Sequence, residues 1–308
     1  MKLLIHIGFP KSASTWLQEK VFNNEDFKFT SLNRKEIALR FGLPHPFYFC
    51  PKEVVKTFKK KIIESNSNGN YVVLSNEFLS GNFYLNGGID SKIYADRLKE
   101  TFPNAKVLII IREQISFLCS LYKHDISYNG GFWSISEFVK PDWHFNRRSS
   151  FHPRYIKYFG IVKYYQNIFG KSNVLILPFE LIQNDKEEFI HKVMSFVKMK
   201  KKNKIKTSTE KINKSRSITL IYFQRILNRI FTSRSENTLR LPKGIVVFFN
   251  RKVLSFLNLN FYLIDRFFEK KLKKKVYNMM HKYYENDNRK LQRIIDFDLS
   301  SYGYNIKK

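Results

Sequence analysis

The sequence predicts an α/β fold with three layers around a central, mainly parallel sheet, followed by a helical and basic C-terminal part. Short runs rich in Val, Ile and Leu have the length and composition of buried parallel strands. They lie at about 3–7, 71–75, 105–111 and 173–178. Because strands that alternate with helices are typical of parallel sheets, we expect ligands to bind at the carboxyl ends of these strands.

The predicted helices and the chain length support this fold class. Helical patterns cover about 51–65, 90–101, 113–127 and 185–198. A chain of 308 residues is long enough to form one domain with a large core. We therefore expect a single domain over 1–308, in which a helical, basic extension at 201–308 packs on an α/β core at 1–200.

The first strand leads into a short polar turn with the features of an anion-binding loop. The strand ends at Gly8, and a helix opens near Thr15 after the turn Pro10-Lys11-Ser12-Ala13-Ser14. Such a junction directs several backbone N–H groups at one point, where the helix dipole favours negative charge. Lys11 adds a positive charge, and the hydroxyl groups add hydrogen-bond donors. The loop therefore predicts a phosphate or sulfate site.

This loop differs from the loop that binds ATP in the pattern G-x-x-x-x-G-K-[ST]. Counting from Gly8, the positions of the second Gly and the Lys hold Ala13 and Ser14, and the lysine of this loop is Lys11. A P-loop kinase-like enzyme stays open as an alternative. It is weakened by this mismatch and by the lack of a convincing acidic magnesium ligand after a strand.

A second pattern follows the predicted strand at 105–111. That strand leads directly into Arg112, and Ser120 lies eight residues further on, in a predicted helix, followed by Leu121-Tyr122. A guanidinium can hold phosphate oxygens through two parallel hydrogen bonds, and a hydroxyl two helical turns later can hold another oxygen. This pattern therefore predicts a second phosphate-binding pair.

Together these patterns resemble those of sulfotransferases that use 3′-phosphoadenosine-5′-phosphosulfate (PAPS), in particular the bacterial, carbohydrate-type members. The family loop is usually written PKSGTTWL, and this chain has Pro10-Lys11-Ser12-Ala13-Ser14-Thr15-Trp16-Leu17. The resemblance implies a P-loop-NTPase-like fold with PAPS as the donor. It also implies that residues 10–16 surround the 5′-phosphate and that Arg112 and Ser120 hold the 3′-phosphate. Ala13 replaces a glycine, and alanine would be strained if the loop needed a positive φ there.

Further stretches extend the resemblance along the chain. Glu180, after the strand at 173–178, matches a glutamate that is usually structural in the family. The stretch Asn213-Lys214-Ser215-Arg216 is similar to an N-K-S stretch of bacterial members, which implies that Lys214, Ser215 and Arg216 contact the donor. Near the end, Tyr302-Gly303-Tyr304 is similar to a C-terminal pattern of the same proteins.

The resemblance also implies roles in sulfuryl transfer. The acceptor hydroxyl must lose a proton, and charge moves onto the oxygen that bridges sulfur and the 5′-phosphate. By analogy with phosphoryl transfer, positioning and positive charge should dominate this reaction. We expect Lys11 to contact the bridging oxygen and Glu77, after the strand at 71–75, to act as the base. His124 is the alternative base, and no metal ion is expected.

The composition limits the partners and the location. Cys50 and Cys119 lie in no metal-binding pattern, so neither disulfides nor structural zinc are expected, and a cytoplasmic location fits. A formal net charge of +29 favours polyanionic partners. We expect a hydroxylated acceptor such as a glycan or glycolipid, acidic ones included, peripheral contact with the anionic inner membrane face, and no specific nucleic acid. A non-enzymatic polyanion or membrane-surface binder stays open as the second alternative, and AT-rich coding is a further explanation of the charge.

Overall fold

The structure is a computed structural model that describes residues 1–82, 87–140, 151–199, 217–231 and 262–306. The described residues divide into two compact units. The first unit lies within Met1–Glu113, Tyr155–Ile212 and Glu285–Lys308, and the second lies within Gln114–Arg154 and Asn213–Tyr284. The predicted donor-binding residues Lys214, Ser215 and Arg216 lie outside the described residues.

A five-stranded sheet forms the centre of the first unit. Its strands are β1 (Leu3–Gly8), β2 (Phe29–Ser31), β3 (Tyr71–Ser75), β4 (Lys106–Ile111) and β5 (Val174–Pro178). The order is β2-β3-β1-β4-β5, and every neighbouring pair is parallel. The predicted parallel sheet is therefore confirmed, and all five carboxyl ends lie along one edge. The sequence prediction lacks β2, because a run of three residues is too short to show a strand pattern.

Helices connect the strands and follow them. In chain order they are α1 (Ser14–Lys20), α2 (Arg34–Ile37), α3 (Pro51–Ser67), α4 (Ser91–Thr101), α5 (Gln114–Tyr128), α6 (Ile135–Phe138), α7 (Tyr158–Phe169), α8 (Phe179–Asn184), α9 (Lys186–Phe196), α10 (Ile218–Phe231) and α11 (Tyr262–Gln292). The four predicted helices correspond to α3, α4, α5 and α9, and their ends agree with the prediction within two residues. A short 3₁₀ turn, Glu77–Ser80, follows β3.

The core explains why the strands are so apolar. All six residues of β1 and all five of β3 are buried, as expected for strands that are covered on both faces. Aliphatic side chains of the sheet pack with aromatic residues such as Phe22 and Phe189 in one cluster. This packing fixes the positions of the strand ends, from which the polar loops emerge.

The second unit is helical in its described part. It contains α5, α6, α10 and the greater part of α11. Long apolar helices of the kind that cross a membrane do not occur among the helices that the structure describes.

Candidate active site

The loop between β1 and α1 has a backbone conformation that is rare for residues with side chains. Lys11 and Ala13 have φ angles of 64° and 62°, in the left-handed region. Ala13 is also the N-cap residue of α1, and no side chain caps this helix start. Left-handed residues within a tight turn point successive N–H groups to one side and create a concavity that suits an anion. The sequence analysis expects strain at Ala13 if its φ is positive, and its φ is positive in the structure, so this strain is present.

Two serine hydroxyl groups of this loop are buried without a hydrogen-bond partner. Ser12 and Ser14 expose at most 2% of their surface. Neither Oγ atom has a partner among the described residues. Because a buried hydroxyl that lacks a partner is unfavourable by about 1–3 kcal/mol, native proteins keep few of them. Two such groups in one strained loop suit a ligand that brings its own acceptor oxygens.

A polar cluster lies beneath the loop and attaches α1 to β3. His6 Nδ1 lies 2.7 Å from Ser75 Oγ, and Gln18 Nε2 donates to the same Oγ at 2.8 Å. Burial lowers the pKa of His6 to about 3, so its imidazole is neutral. A Cβ atom on Gly8 would lie 2.3 Å from Ser14 Oγ and 3.0 Å from His6 Nε2. Glycine is therefore needed where the strand passes these side chains.

Arg112 follows β4, the neighbour of β1 in the sheet, and contacts the same loop. Its Nη1 donates to the carbonyl oxygen of Lys11. Its guanidinium lies 4.6 Å from the ring centre of Phe179, and Tyr158 Oη donates to its carbonyl oxygen at 2.8 Å. Burial lowers the pKa of Arg112, while the Glu180 carboxylate acts to raise it. The structure thus brings together Arg112 and Lys11, which the sequence assigned to two separate patterns.

Glu180 connects the end of β5 to other parts of the first unit. Its Oε1 accepts a hydrogen bond from the Glu113 backbone N–H at 3.0 Å. Its Oε2 accepts one from Tyr304 Oη at 3.4 Å. Burial raises the pKa of Glu180 to about 7, although these surroundings include Arg112. These bonds support the structural role that the sequence resemblance implies.

Glu77 begins the 3₁₀ turn after β3 and is partly buried. Burial raises the pKa of its carboxyl group, and the positive charges of Arg34 and Lys11 act against this rise. Asn76 supports the turn, because its side chain accepts from the Phe78 N–H at 3.4 Å and donates to the Arg34 carbonyl oxygen at 3.2 Å. Glu77 therefore lies within electrostatic reach of Lys11 at the carboxyl edge of the sheet.

Ser120 and His124, in contrast, lie on α5 in the second unit. Ser120 is partly buried, and the ring of His124 stacks on Tyr128 with ring centres 4.6 Å apart. Two assignments therefore stay predictions from the sequence: Ser120 as a ligand of the 3′-phosphate, and His124 as the alternative base.

Aromatic residues around the loop were missed by the sequence analysis. Tyr155 and Tyr158 contact the ring of Phe9 edge-on, with ring centres 5.1 and 4.9 Å apart. Tyr155 Oη lies 2.6 Å from Ser80 Oγ. Phe179 supports the guanidinium of Arg112. These contacts join residues far apart in the chain, so local patterns give little signal for them beyond the aromatic content of the segment.

The comparisons with known proteins concern the fold. No family model matches the chain, and no curated protein matches it. Among solved structures, the chain is similar to the crystal structure of a sulfotransferase from Alicyclobacillus acidocaldarius, with 14% identity and a TM-score of 0.53 over 97% of both chains. It is also similar to the mouse sulfotransferase SULT7A1 complexed with PAP, with 15% identity and a TM-score of 0.40 over 94% of this chain and 88% of that one.

The likeness to the Alicyclobacillus protein establishes the fold. The chain has the α/β fold of a sulfotransferase, with a parallel central sheet and flanking helices, as the sequence predicted. The match spans nearly the whole of both chains. At 14% identity it defines the architecture, and the chemistry must be argued from the side chains of the loops.

Proposed function

We propose that this protein is a PAPS-dependent sulfotransferase, which moves the sulfuryl group of PAPS to a hydroxyl group of an acceptor. The observation that carries the proposal is the pair of buried, unpartnered serine hydroxyls in a loop with two left-handed residues. Ser12 and Ser14 are neutral donors that fit phosphate oxygens, and they belong to the segment whose sequence resembles the family loop. The described residues of the first unit thus fit an anionic donor.

The loop after β1, Arg112 and Ser120 are each assigned to one part of the donor. The backbone N–H groups of residues 13–15 and the hydroxyls of residues 12, 14 and 15 bind the 5′-phosphate, with Pro10 and Trp16 at the ends of this loop. The Ser12 N–H instead donates to the Phe9 carbonyl oxygen at 3.2 Å. Arg112 is assigned to the 3′-phosphate because its pattern resembles that of the family, and its guanidinium is oriented by Lys11 O and by the ring of Phe179. Ser120 is assigned to the same phosphate from its spacing to Arg112. Lys11 contacts the oxygen that bridges the 5′-phosphate and sulfur.

The reaction exchanges one sulfur–oxygen bond for another. The acceptor oxygen attacks sulfur as its proton passes to Glu77, and the bond from sulfur to the bridging oxygen breaks. The electron pair of that bond stays on the leaving 3′-phosphoadenosine-5′-phosphate (PAP), where Lys11 compensates the developing charge. A raised pKa suits Glu77 as a base near neutral pH, because proton acceptance improves as the pKa approaches the working pH.

The proposed acceptor is a glycan or glycolipid, and the proposed location is the cytoplasm. A glutamate in the loop after β3, where the phenol and steroid type of sulfotransferase has a histidine, supports an alcohol of a glycan. The basic composition supports an acidic acceptor. No metal ion is assigned to the reaction.

The direct test is release of PAP from PAPS by the full chain with a panel of sugars, glycolipids and phenols. We expect turnover with a sugar hydroxyl, and unchanged turnover after magnesium is chelated. Glu77→Gln should lower kcat by about 10²–10⁴ and leave PAP affinity nearly intact, because the amide keeps the shape but accepts no proton. If Glu77→Gln stays active while His124→Ala is inactive, His124 is the base. Dependence on ATP and magnesium would instead support the kinase-like alternative.

A further inference from the structure

Helix α10 in the second unit has an unusual distribution of polar and apolar side chains. Gln224 and Asn228 expose at most 3% of their surface, whereas Phe223, Ile226 and Ile230 expose between 46% and 59%. The core side of α10 also holds Ile218 and Ile221, which expose 1% and 3% of their surface, but a surface helix of a water-soluble protein normally has polar residues on its outward face. The outward face of α10 is therefore apolar in a position where water would favour polar residues.

Hydrogen bonds fix this orientation of α10. Asn228 Nδ2 donates to the carbonyl oxygens of Ile126 and Gly131 at 2.8 and 2.9 Å. Gln224 Nε2 donates to the Ser127 carbonyl oxygen at 3.3 Å. Because a rotation of α10 that buried its apolar stripe would break these bonds, the exposed stripe is a stable feature of the unit.

The start of α11 continues the same kind of surface. Asp265 accepts hydrogen bonds from Ser217 Oγ and from the backbone N–H of Thr219, so the first turns of α10 and α11 are joined. On α11, Leu263, Ile264 and Phe267 expose between 47% and 77% of their surface. The ring contact between Tyr222 and Phe268 lies directly beside Phe223 and Phe267 in the chain.

Lysines follow these apolar residues on the same side of α11. Leu263, Phe267, Lys270 and Lys274 are spaced by four, three and four residues, which is the spacing of one helix face. Lys270, Lys271 and Lys274 are exposed, while Leu272 and Val276 face the core. Arg229 and Arg266 add exposed positive charge beside the apolar residues of α10 and α11.

We propose that this apolar–basic face, made by residues 223, 226, 229 and 230 of α10 and 263, 264, 266, 267, 270, 271 and 274 of α11, docks on an anionic lipid bilayer. Exposed Phe, Ile and Leu beside Lys and Arg is the composition by which helices lie in the interface of anionic membranes. Residues 198–308 carry 28 Lys and Arg against 8 Asp and Glu, so the surrounding charge favours the same partner. A nucleic acid would use the lysines but leave the aliphatic residues in water. This proposal is independent of the sulfotransferase activity.

The experiment measures partition of the full chain onto two kinds of vesicle, phosphatidylcholine alone and phosphatidylcholine with phosphatidylglycerol. We expect strong binding to the anionic vesicles and weak binding to the neutral ones. Replacing Lys270, Lys271 and Lys274 by Glu should weaken anionic binding by at least about a hundredfold, since one lysine near such a surface contributes roughly a factor of five. Replacing Phe223, Ile226 and Ile230 by Ser should weaken it more than about tenfold.

A matched control is available on α3 of the first unit. Lys59, Lys60 and Lys61 are exposed there beside an exposed Ile63. Replacing the three lysines by Glu makes the same change of charge as the Lys270, Lys271 and Lys274 variant, and Ile63 is replaced by Ser. This control should keep most of the vesicle affinity. The proposal is overturned if the wild-type chain does not bind anionic vesicles. It is equally overturned if the α3 control loses as much vesicle affinity as the variants of the apolar–basic face. A chain that binds RNA but does not bind anionic vesicles would overturn it in favour of a nucleic-acid partner. A lower Tm of the serine variant, with unchanged vesicle binding, would mean that the face is covered by the protein itself and would equally overturn it.

Discussion

The loop after β1 and the chain after β4 emerge side by side from neighbouring strands, yet they are prepared for a ligand in different ways. The first has two left-handed residues and two buried hydroxyls without partners. In the second, Arg112 is already bonded to Lys11 O and lies on the ring of Phe179. The loop hydroxyls therefore have no hydrogen-bond partner among the described residues, whereas the guanidinium is oriented by contacts within the protein. Under the proposed function, we expect the loop to contribute to the chemical step and Arg112 to contribute to recognition of the donor.

Replacing Lys11 and Arg112 one at a time should separate the chemical step from donor recognition. Lys11→Met removes the charge that meets the leaving oxygen, so kcat should fall by about 10²–10³ and donor binding should weaken as well. Arg112→Ala should mainly weaken PAP binding, by about one to two orders of magnitude, because a charge-assisted contact contributes roughly 1.5–3 kcal/mol. Steady-state kinetics and PAP titration of both variants check this. Equal losses of kcat and affinity in both variants would contradict the division of tasks.

The buried hydroxyl of Ser12, which has no hydrogen-bond partner among the described residues, can be tested by its effect on stability and on PAP binding. Ser12→Ala should raise or leave unchanged the Tm of the free protein, because it removes a buried group that has no partner. The same change should weaken PAP binding about tenfold. Ser80→Ala is the control, since the Ser80 hydroxyl is buried and lies 2.7 Å from the Glu77 carbonyl oxygen and 2.6 Å from Tyr155 Oη. It should lower the Tm. A lower Tm for Ser12→Ala would show that this hydroxyl is structural.

Glu180 makes the region around Arg112 sensitive to pH. Its pKa is about 7 in the folded protein against an ordinary value of 4.5, so the folded state binds the proton more tightly between these values. Stability should therefore fall as the pH rises from about 4.5 through about 7, by up to about 3 kcal/mol. Denaturant unfolding of Glu180→Gln should lack this decline, and Glu187→Gln, an exposed neighbour, should keep it. An identical decline in both variants would exclude Glu180 as its source.

The strain in the loop predicts the smallest effect. Ala13→Gly should stabilise the free protein by about 0.5–1 kcal/mol, because glycine accepts a positive φ that alanine resists. This corresponds to a rise in Tm of about 1–3 °C. Ala38→Gly is the control, since Ala38 has a helical φ of −62° and should lose stability on the same change. A loss of stability in both variants would mean that the φ of Ala13 is not strained.

Local patterns account for much of this architecture. β1, β3, β4 and β5 are apolar runs bounded by turn residues, and they appear in the structure close to their predicted bounds. Lys11 and Arg112 each follow a predicted strand, so the sequence places both at strand ends. Their direct contact follows from the order of the strands in the sheet. Sequence patterns do not encode that order.

The rest depends on contacts that only folding creates. The supports of Arg112 come from Tyr158 and Phe179, which lie far from it in the chain, so no local pattern predicts their contact with it. Similarly, the sequence of α10 shows an apolar stripe that looks like a core-facing one, and only the bonds of Gln224 and Asn228 reveal that it faces outward. The positive φ of Ala13 could be anticipated only as a condition, because the turn type is set by the packing of β1 and α1.

Calorimetric titration of the wild-type chain with PAP, 5′-AMP and ATP tests the central claim most directly. PAP and 5′-AMP differ only in the 3′-phosphate, which Arg112 is proposed to bind. The account predicts that PAP binds at least about tenfold more tightly than 5′-AMP, since one charge-assisted contact separates them. It also predicts that PAP binds more tightly than ATP with or without magnesium. Equal affinities for PAP and 5′-AMP, or a preference for ATP with magnesium, would contradict the assignment of this protein as a PAPS-dependent sulfotransferase.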